Sequence, residues 1–259
     1  MIPSLFVSHG SPMLALTDTP ARQFLAGLGA SMPRPRAIIV VSAHWETPTP
    51  MVNAVARNTT IHDFRGFPPA LYALHYDPPG DPALAARIAS MLTEAGFAAM
   101  MDAQRGLDHG AWVPLLIAYP DAAIPVLQVS VQPHAGPAHH YAIGQALAPL
   151  RAEDVLIIGS GSFTHDLRRF RGQAVDAPES PDVRAFAAWM DEAIRAHDLP
   201  ALLDYRGRAP FARDQHPTEE HLLPLYAALG AGGDTATHLH RSAEHSILRM
   251  DAYAFGERG

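Results

Sequence analysis

Short apolar runs alternate with amphipathic stretches along most of the chain. Leu5-Phe6-Val7, Ala37-Ile38-Ile39-Val40-Val41, Ile124 to Val131 and Val155 to Ile158 are strand-length and rich in β-branched residues, the pattern of strands buried on both faces. Between them, apolar residues recur at three-and-four spacing over Pro20 to Leu28, Asp81 to Ala95, Pro137 to Leu150 and Pro181 to His197. A Pro or Asp near the start of each is a helix-opening signal. This alternation predicts an α/β fold: one domain over residues 1–259 with a mainly parallel central sheet flanked by helices on both faces.

The C-terminal third is patterned less clearly. Pro217 to Leu229 opens on Thr218-Glu219-Glu220 and closes at Gly230, which predicts one helix, with Gly230 to Gly233 as a loop. Ser246 to Phe255 alternates loosely and is expected to be a last strand. The Pro/Gly-rich segments Phe67 to Tyr72 and Asp77 to Asp81 have the character of long ordered loops beside an active site. No repeat or low-complexity linker interrupts the chain.

Composition narrows the chemistry. Hydrophobic residues make up 48% and charged residues 17% of the 259 positions, the balance of a globular enzyme rather than a disordered chain. Nineteen Lys and Arg against 26 Asp and Glu give a formal charge of -7, which repels nucleic-acid backbones and anionic lipids. Neither nucleic acid nor a membrane is expected as a partner, since the most apolar runs are too short to span a bilayer. Met1-Ile2-Pro3-Ser4 leads straight into a strand with no basic segment and long apolar stretch after it, so a cytoplasmic location is expected. With no cysteine in the chain, thiolate metal sites and cysteine nucleophiles are excluded, and a metal would need His, Asp or Glu.

The histidines stand where such a metal would need them. In open α/β sheets, ligands bind beyond the carboxyl ends of the strands. His9 follows Leu5 to Ser8, His44 follows Ile38 to Ser42, and His165 follows Leu156 to Ile158 through Gly159-Ser160-Gly161-Ser162-Phe163-Thr164. His221, beside Glu219 and Glu220, opens the last predicted helix and could face the same crevice. Neutral imidazoles suit Zn, Fe, Cu and Ni, and two or three of them leave coordination positions open. A single histidine after a strand is more often a hydrogen-bonded structural residue, and no local H-E-x-x-H signature is present. Residue chemistry alone reaches no further than an α/β enzyme with a candidate histidine metal site at the strand C-terminal ends.

Six phrases in order carry the inference further: Ser8-His9-Gly10-Ser11-Pro12, Ser42-Ala43-His44-Trp45, Ile61-His62-Asp63-Phe64, Gly66-Phe67-Pro68, Asp108-His109-Gly110-Ala111-Trp112 and Glu220-His221-Leu222-Leu223-Pro224-Leu225. This series closely resembles the DODA-type (4,5-DOPA-like) extradiol ring-opening dioxygenases. They are a branch of the class III extradiol superfamily, which also holds the protocatechuate 4,5-dioxygenase catalytic subunit. The resemblance runs from about residue 4 to about residue 254. It implies metal ligands at His9, His44 and His221, the last standing where the protocatechuate branch has glutamate. Adjacent Glu220 leaves the third ligand the least secure.

The resemblance also implies an acid-base histidine near the metal at His165. His109 would be a second catalytic residue of the pocket, able to hydrogen-bond a substrate hydroxyl, or else a helix-opening residue. His62 with Asp63 would bind substrate at the pocket mouth, or cap a loop. The implied cofactor is one divalent metal, Fe(II) in the active enzyme, with Zn(II) able to take the site in a crystal because it binds N/O ligands more tightly. The implied partners are a small aromatic diol and O2, with monomer and homodimer both open. Two rivals follow from the same residues: a zinc hydrolase activating water, and a binding module that has lost its activity.

Overall fold

The computed structural model describes residues 1–256. The four apolar runs form the centre of one eight-stranded sheet. In chain order its strands are β1 (Ser4–Ser8), β2 (Ala37–Glu46), β3 (Met51–Asn53), β4 (Met100–Asp102), β5 (Val126–Val131), β6 (Val155–Gly161), β7 (Ala236–His240) and β10 (Ala252–Phe255). A separate hairpin of β8 (Ala243–Glu244) and β9 (Leu248–Arg249) precedes β10. Across the sheet the order is β4-β3-β5-β2-β6-β1-β10-β7. The run β5-β2-β6-β1 is parallel throughout, whereas β3 meets β5, and β10 meets β1 and β7, in antiparallel pairs.

Period-two geometry divides each central strand between two cores. Ile38, Val40, Leu156 and Ile158 face one side, and Ile39, Val41, Val155 and Ile157 the other. On the first face lie α1 (Pro20–Leu28) and, through the segment holding α2 (Pro69–Tyr72), α4 (His109–Ala118); the second is covered by α3 (Pro82–Glu94) and α5 (Gly136–Leu147). α6 (Pro181–Arg195), the short helices α7 (Leu199–Leu203), α8 (Tyr205–Arg208) and α9 (Ala212–Gln215), and α10 (Leu223–Gly232) complete that layer. None of the described helices is long and apolar enough to cross a membrane.

Three expectations need correction. The helix expected over Pro217 to Leu229 begins at Leu223 instead, with Pro224 in its first turn, so His221 sits on the turn before α10. Thr218-Glu219-Glu220 has the composition of a helix start but forms that turn, with the Thr218 hydroxyl bonded to Glu220. Gly230 to Gly232 is the last turn of α10 rather than a loop. These glycines are there for close packing: a Cβ on Gly230 would meet the Tyr141 carbonyl oxygen at 2.0 Å, and one on Gly232 would meet Phe255 at 2.0 Å. Only Gly233, with φ of 86°, ends the helix in the way glycine permits. Finally, Ser246 to Phe255 is broken into β9 and β10 by the turn around Met250.

Candidate metal centre and active site

The carboxyl ends of β1, β2 and β6 bring three histidines to one point. His9 is the first residue after β1, and its backbone N–H donates to the Gly161 carbonyl at the end of β6. His44 lies inside β2, where pairing with β5 lapses between Val41 and Glu46 and frees the strand to turn its side chain to the crevice. His221 arrives from the opposite side on the turn before α10, its carbonyl accepting from the Ser162 N–H. Gly161 packs on that carbonyl so closely that a Cβ would meet it at 2.1 Å. All three imidazoles are buried or nearly so.

The outward nitrogens of His9 and His221 are committed to acceptors. Ser160 Oγ donates to the Gly110 carbonyl, so it must accept from His9 Nδ1, 3.1 Å away. His221 Nδ1 donates to Glu220 Oε1 at 3.0 Å, because an ionised carboxylate only accepts. His44 Nδ1 faces Asp63 Oδ2 at 3.7 Å. The Nε2 atoms of His9 and His221 are thereby left as lone pairs turned inward toward His44. His44 Nε2 lies 3.0 Å from His9 Nε2 and 3.3 Å from His221 Nε2. His44 could donate one proton to one neighbour but not to both.

A divalent ion fits that arrangement. Nitrogens each about 2.1 Å from one ion stand about 3.0 Å apart at a right angle and about 3.4 Å apart at the tetrahedral angle, and the two measured separations fall in this interval. Burial, reinforced by the neighbouring histidines, pushes His9 and His221 well below the usual imidazole range. His44 is pushed down to about 3, by burial first and then by His109. Each is therefore neutral at physiological pH, the form that ligates a metal. The Ser160, Glu220 and Asp63 contacts are the outer partners that fix imidazole orientation around metals.

Two further histidines border the cluster. His165 lies flat on His221, ring centroids 3.4 Å apart and planes 12° from parallel. Its pKa is pushed down to about 4, mainly by burial. His109 is the first residue of α4, whose N-cap Asp108 accepts from Ala111, and its ring centroid lies 3.9 Å from that of His44. It is therefore both the helix-opening residue and a neighbour of the metal candidates. Asp63 holds it twice, accepting from its backbone N–H and from Nδ1, each at 2.9 Å. Burial opposes ionisation of Asp63, but the His109 hydrogen bonds outweigh it and hold this carboxyl below its usual value.

His62 is placed differently. Its Nε2 meets the Leu74 carbonyl at 3.1 Å, and its ring contacts Phe64, Tyr72 and Trp112 behind the aromatic wall. Neither His62 nor Asp63 lines the cavity beside the cluster. That cavity, about 620 Å³, has the volume of a small-ligand pocket. His9, His44, His109 and His165 share it with Phe64 and Phe67.

Sequence reasoning missed two groups here. One is the polar bed under His44 and His109, where buried Asp108 accepts from Ser42 Oγ at 2.7 Å, from Arg105 at 3.1 Å and from Gln128. The phrase Asp108-His109-Gly110 pointed at the histidine and not at the carboxylate that caps its helix. The other is Glu244 with His245 in the cavity wall, which no spacing signal marks.

Comparison with known proteins agrees with this geometry. The profile of the catalytic LigB subunit of aromatic ring-opening dioxygenase matches residues 3–256. The chain belongs to this family. Within it, the relatives place the chain in the DODA-type, class III extradiol branch, a group of ring-cleaving oxidoreductases. A Beta vulgaris protein named 4,5-DOPA dioxygenase extradiol is 45% identical, the match covering 97% of this chain and 96% of that one. An Escherichia coli K12 protein of the same name is 40% identical over 89% of this chain and 85% of its own. The crystal structure of an uncharacterized Escherichia coli K12 protein superposes with a TM-score of 0.83 at 32% identity, covering 99% of this chain and all of that one. The LigB-family fold thus carries the histidine cluster at its strand ends.

Proposed function

We propose that the protein opens the ring of a DOPA-like or other substituted catechol with O2, at one Fe(II) held by Nε2 of His9, His44 and His221. The observation that carries this reading is the inward convergence of those three ring nitrogens at 3.0 and 3.3 Å, in a chain whose relatives are named 4,5-DOPA dioxygenase extradiol. Three neutral nitrogens leave room in the coordination sphere for small ligands. When bound, the metal supplies the Lewis acidity that favours loss of the diol protons and the redox centre that activates O2.

The remaining chemistry belongs to the chain. His165, neutral and packed against His221, is placed to take a proton from a diol hydroxyl and return it as the ring opens. His109 donates Nδ1–H to Asp63, so its Nε2 is an acceptor and can orient the second hydroxyl. Phe64 and Phe67 supply an apolar wall for the ring, their centroids 5.3 Å apart, and help to keep bulk water from the reacting atoms. Glu220 acts as the outer partner of His221, its Oε1 accepting from Nδ1.

The test is anaerobic loading of apo-protein with Fe(II), then O2 uptake and absorbance with a panel of catechols that includes DOPA and caffeate. Stoichiometric O2 consumption with a new semialdehyde absorbance is the expected result. Silence with Fe(II), together with ester or amide cleavage by the Zn(II) form, would replace this reading with a hydrolase. His165→Gln is expected to keep its metal and lower kcat by about 10²- to 10⁴-fold; metal loss in that variant would contradict the role assigned.

A further inference from the structure

Glu244 is the one carboxylate among the described residues lining the cavity, in a wall otherwise made of apolar, hydroxyl and imidazole groups. Only 5% of the residue is exposed, and its buried Oε1 has no hydrogen-bond partner. No arginine forms an ion pair with it among the described residues, although Arg249, five positions on, is fully engaged by Asp251 and Glu179. Structural carboxylates at this depth are ordinarily paired. An unpaired one facing a cavity is built for something that enters the cavity.

The backbone holds it there under strain. Glu244 precedes a turn in which His245 and Ser246 both adopt left-handed conformations, with φ of 54° and 68°, at a cost of roughly 1–3 kcal/mol each. Contacts with the 173–180 segment fix the turn: His245 N donates to the Val175 carbonyl at 3.0 Å, His245 Nδ1 meets the Gln173 carbonyl at 2.9 Å, and the Ser246 carbonyl accepts from Ser180 N at 3.0 Å. On the cavity side, Glu244 Oε2 stands 3.9 Å from where a Cβ of Gly10 would lie, one residue past His9. A substituent on a ring bound beside His9 would run toward this carboxylate.

We propose that Glu244 is a specificity-determining residue that accepts a protonated amine on the substrate's side chain, so that catechols bearing an amine are the preferred class. The proposal rests on the catechol reading above. Burial raises the empty carboxyl's pKa, with the Thr19 hydroxyl and His245 acting in the opposite direction. An arriving ammonium would supply the missing donor and counter-charge in one contact, the stronger kind of hydrogen bond. Among the described residues, the cavity wall offers no arginine or lysine to a substrate carboxylate. The simple amine, dopamine, therefore binds at least as tightly as the amino acid DOPA, and dihydrocaffeate binds weakest.

The experiment is calorimetric binding to the redox-inert Zn(II) form, with dopamine against 4-ethylcatechol, which has a side chain of similar length and no charge. Wild type is expected to favour the amine by roughly tenfold, and Glu244→Gln to bring the two within about threefold of each other while leaving 4-ethylcatechol unchanged. A ratio unaffected by Glu244→Gln overturns the proposal. Glu244→Asp, which keeps the charge but withdraws it, is expected to give an intermediate ratio and serves if the glutamine variant does not fold. Tyramine against 4-ethylphenol on metal-free protein reads the same preference without the diol. An amine preference there, with no O2 uptake by the Fe(II) form, would sink the dioxygenase and leave Glu244 standing; O2 uptake without amine preference would do the reverse.

Discussion

Two of the buried polar clusters in this fold are built on opposite principles. Around β10, Arg249 sits between Asp251 at 2.7 and 2.9 Å and Glu179 at 3.0 Å. His238 bridges Asp191 at 3.0 Å and Asp251 at 2.8 Å while stacking on Tyr253. Every carboxylate there has an arginine or histidine nitrogen within 3.0 Å. At the ends of β1 and β2, by contrast, three neutral imidazoles aim ring nitrogens at one another. That cluster is complete only when a cation is added. A structural network pairs its charges internally; a functional site groups like donors that only a ligand can unite.

Breaking each cluster should therefore fail in a different way. His44→Ala is expected to abolish metal binding and to lower ring-opening activity by at least about 10³-fold, with little change in the urea midpoint of metal-free protein, because it relieves the crowding of lone pairs. Metal content by elemental analysis and equilibrium unfolding of the apo form check the two halves. Arg249→Met is expected to do the reverse. It strands Asp251, which is fully buried, without its cation and should destabilise the fold by about 3–5 kcal/mol. Denaturant titration measures that loss, and full metal stoichiometry in the folded fraction would show that the two clusters are independent.

A milder change sharpens the contrast from inside the metal cluster. Asp63 serves His109 through two hydrogen bonds and faces His44 at 3.7 Å. Asp63→Asn keeps the shape and removes the charge. Loss of an outer partner of this kind is expected to cost about 10- to 100-fold in metal affinity or turnover, read by competition with a chelator and by kcat/KM. An unchanged value for both would reduce Asp63 to a loop cap.

How legible each region was in the sequence follows from the range of the interactions involved. The central strands and the helices α1, α3, α5 and α6 were readable because their burial repeats locally. α10 was misjudged in extent because all ten of its residues are buried. A helix apolar all round carries no periodicity, and its true start, beside Pro224, competes with a polar turn that imitates a helix opening. β3, β4 and β7 were missed because the first two are three residues long and the last is half-exposed. In the site, His9 and His44 stood out as polar residues ending apolar runs. Glu244 did not, because its meaning lies in a missing partner, and only three-dimensional packing reveals that absence.

The smallest expected effect concerns acid, and it separates the clusters once more. Burial opposes ionisation of Asp251, but hydrogen bonds from His238 and Arg249 overcome it and leave the carboxyl below its usual value. With the folded value depressed, the unfolded chain binds more protons between the two values, so stability rises with pH across that window. The contribution is complete above the unfolded value of about 3.9 and is lost as pH falls through the folded one. Asp251→Asn should therefore lower stability at neutral pH and flatten this part of the acid limb, measured as the slope of the urea midpoint against pH. Equal slopes for variant and wild type would mean that the β10 network gains nothing from its charge and is held by packing alone.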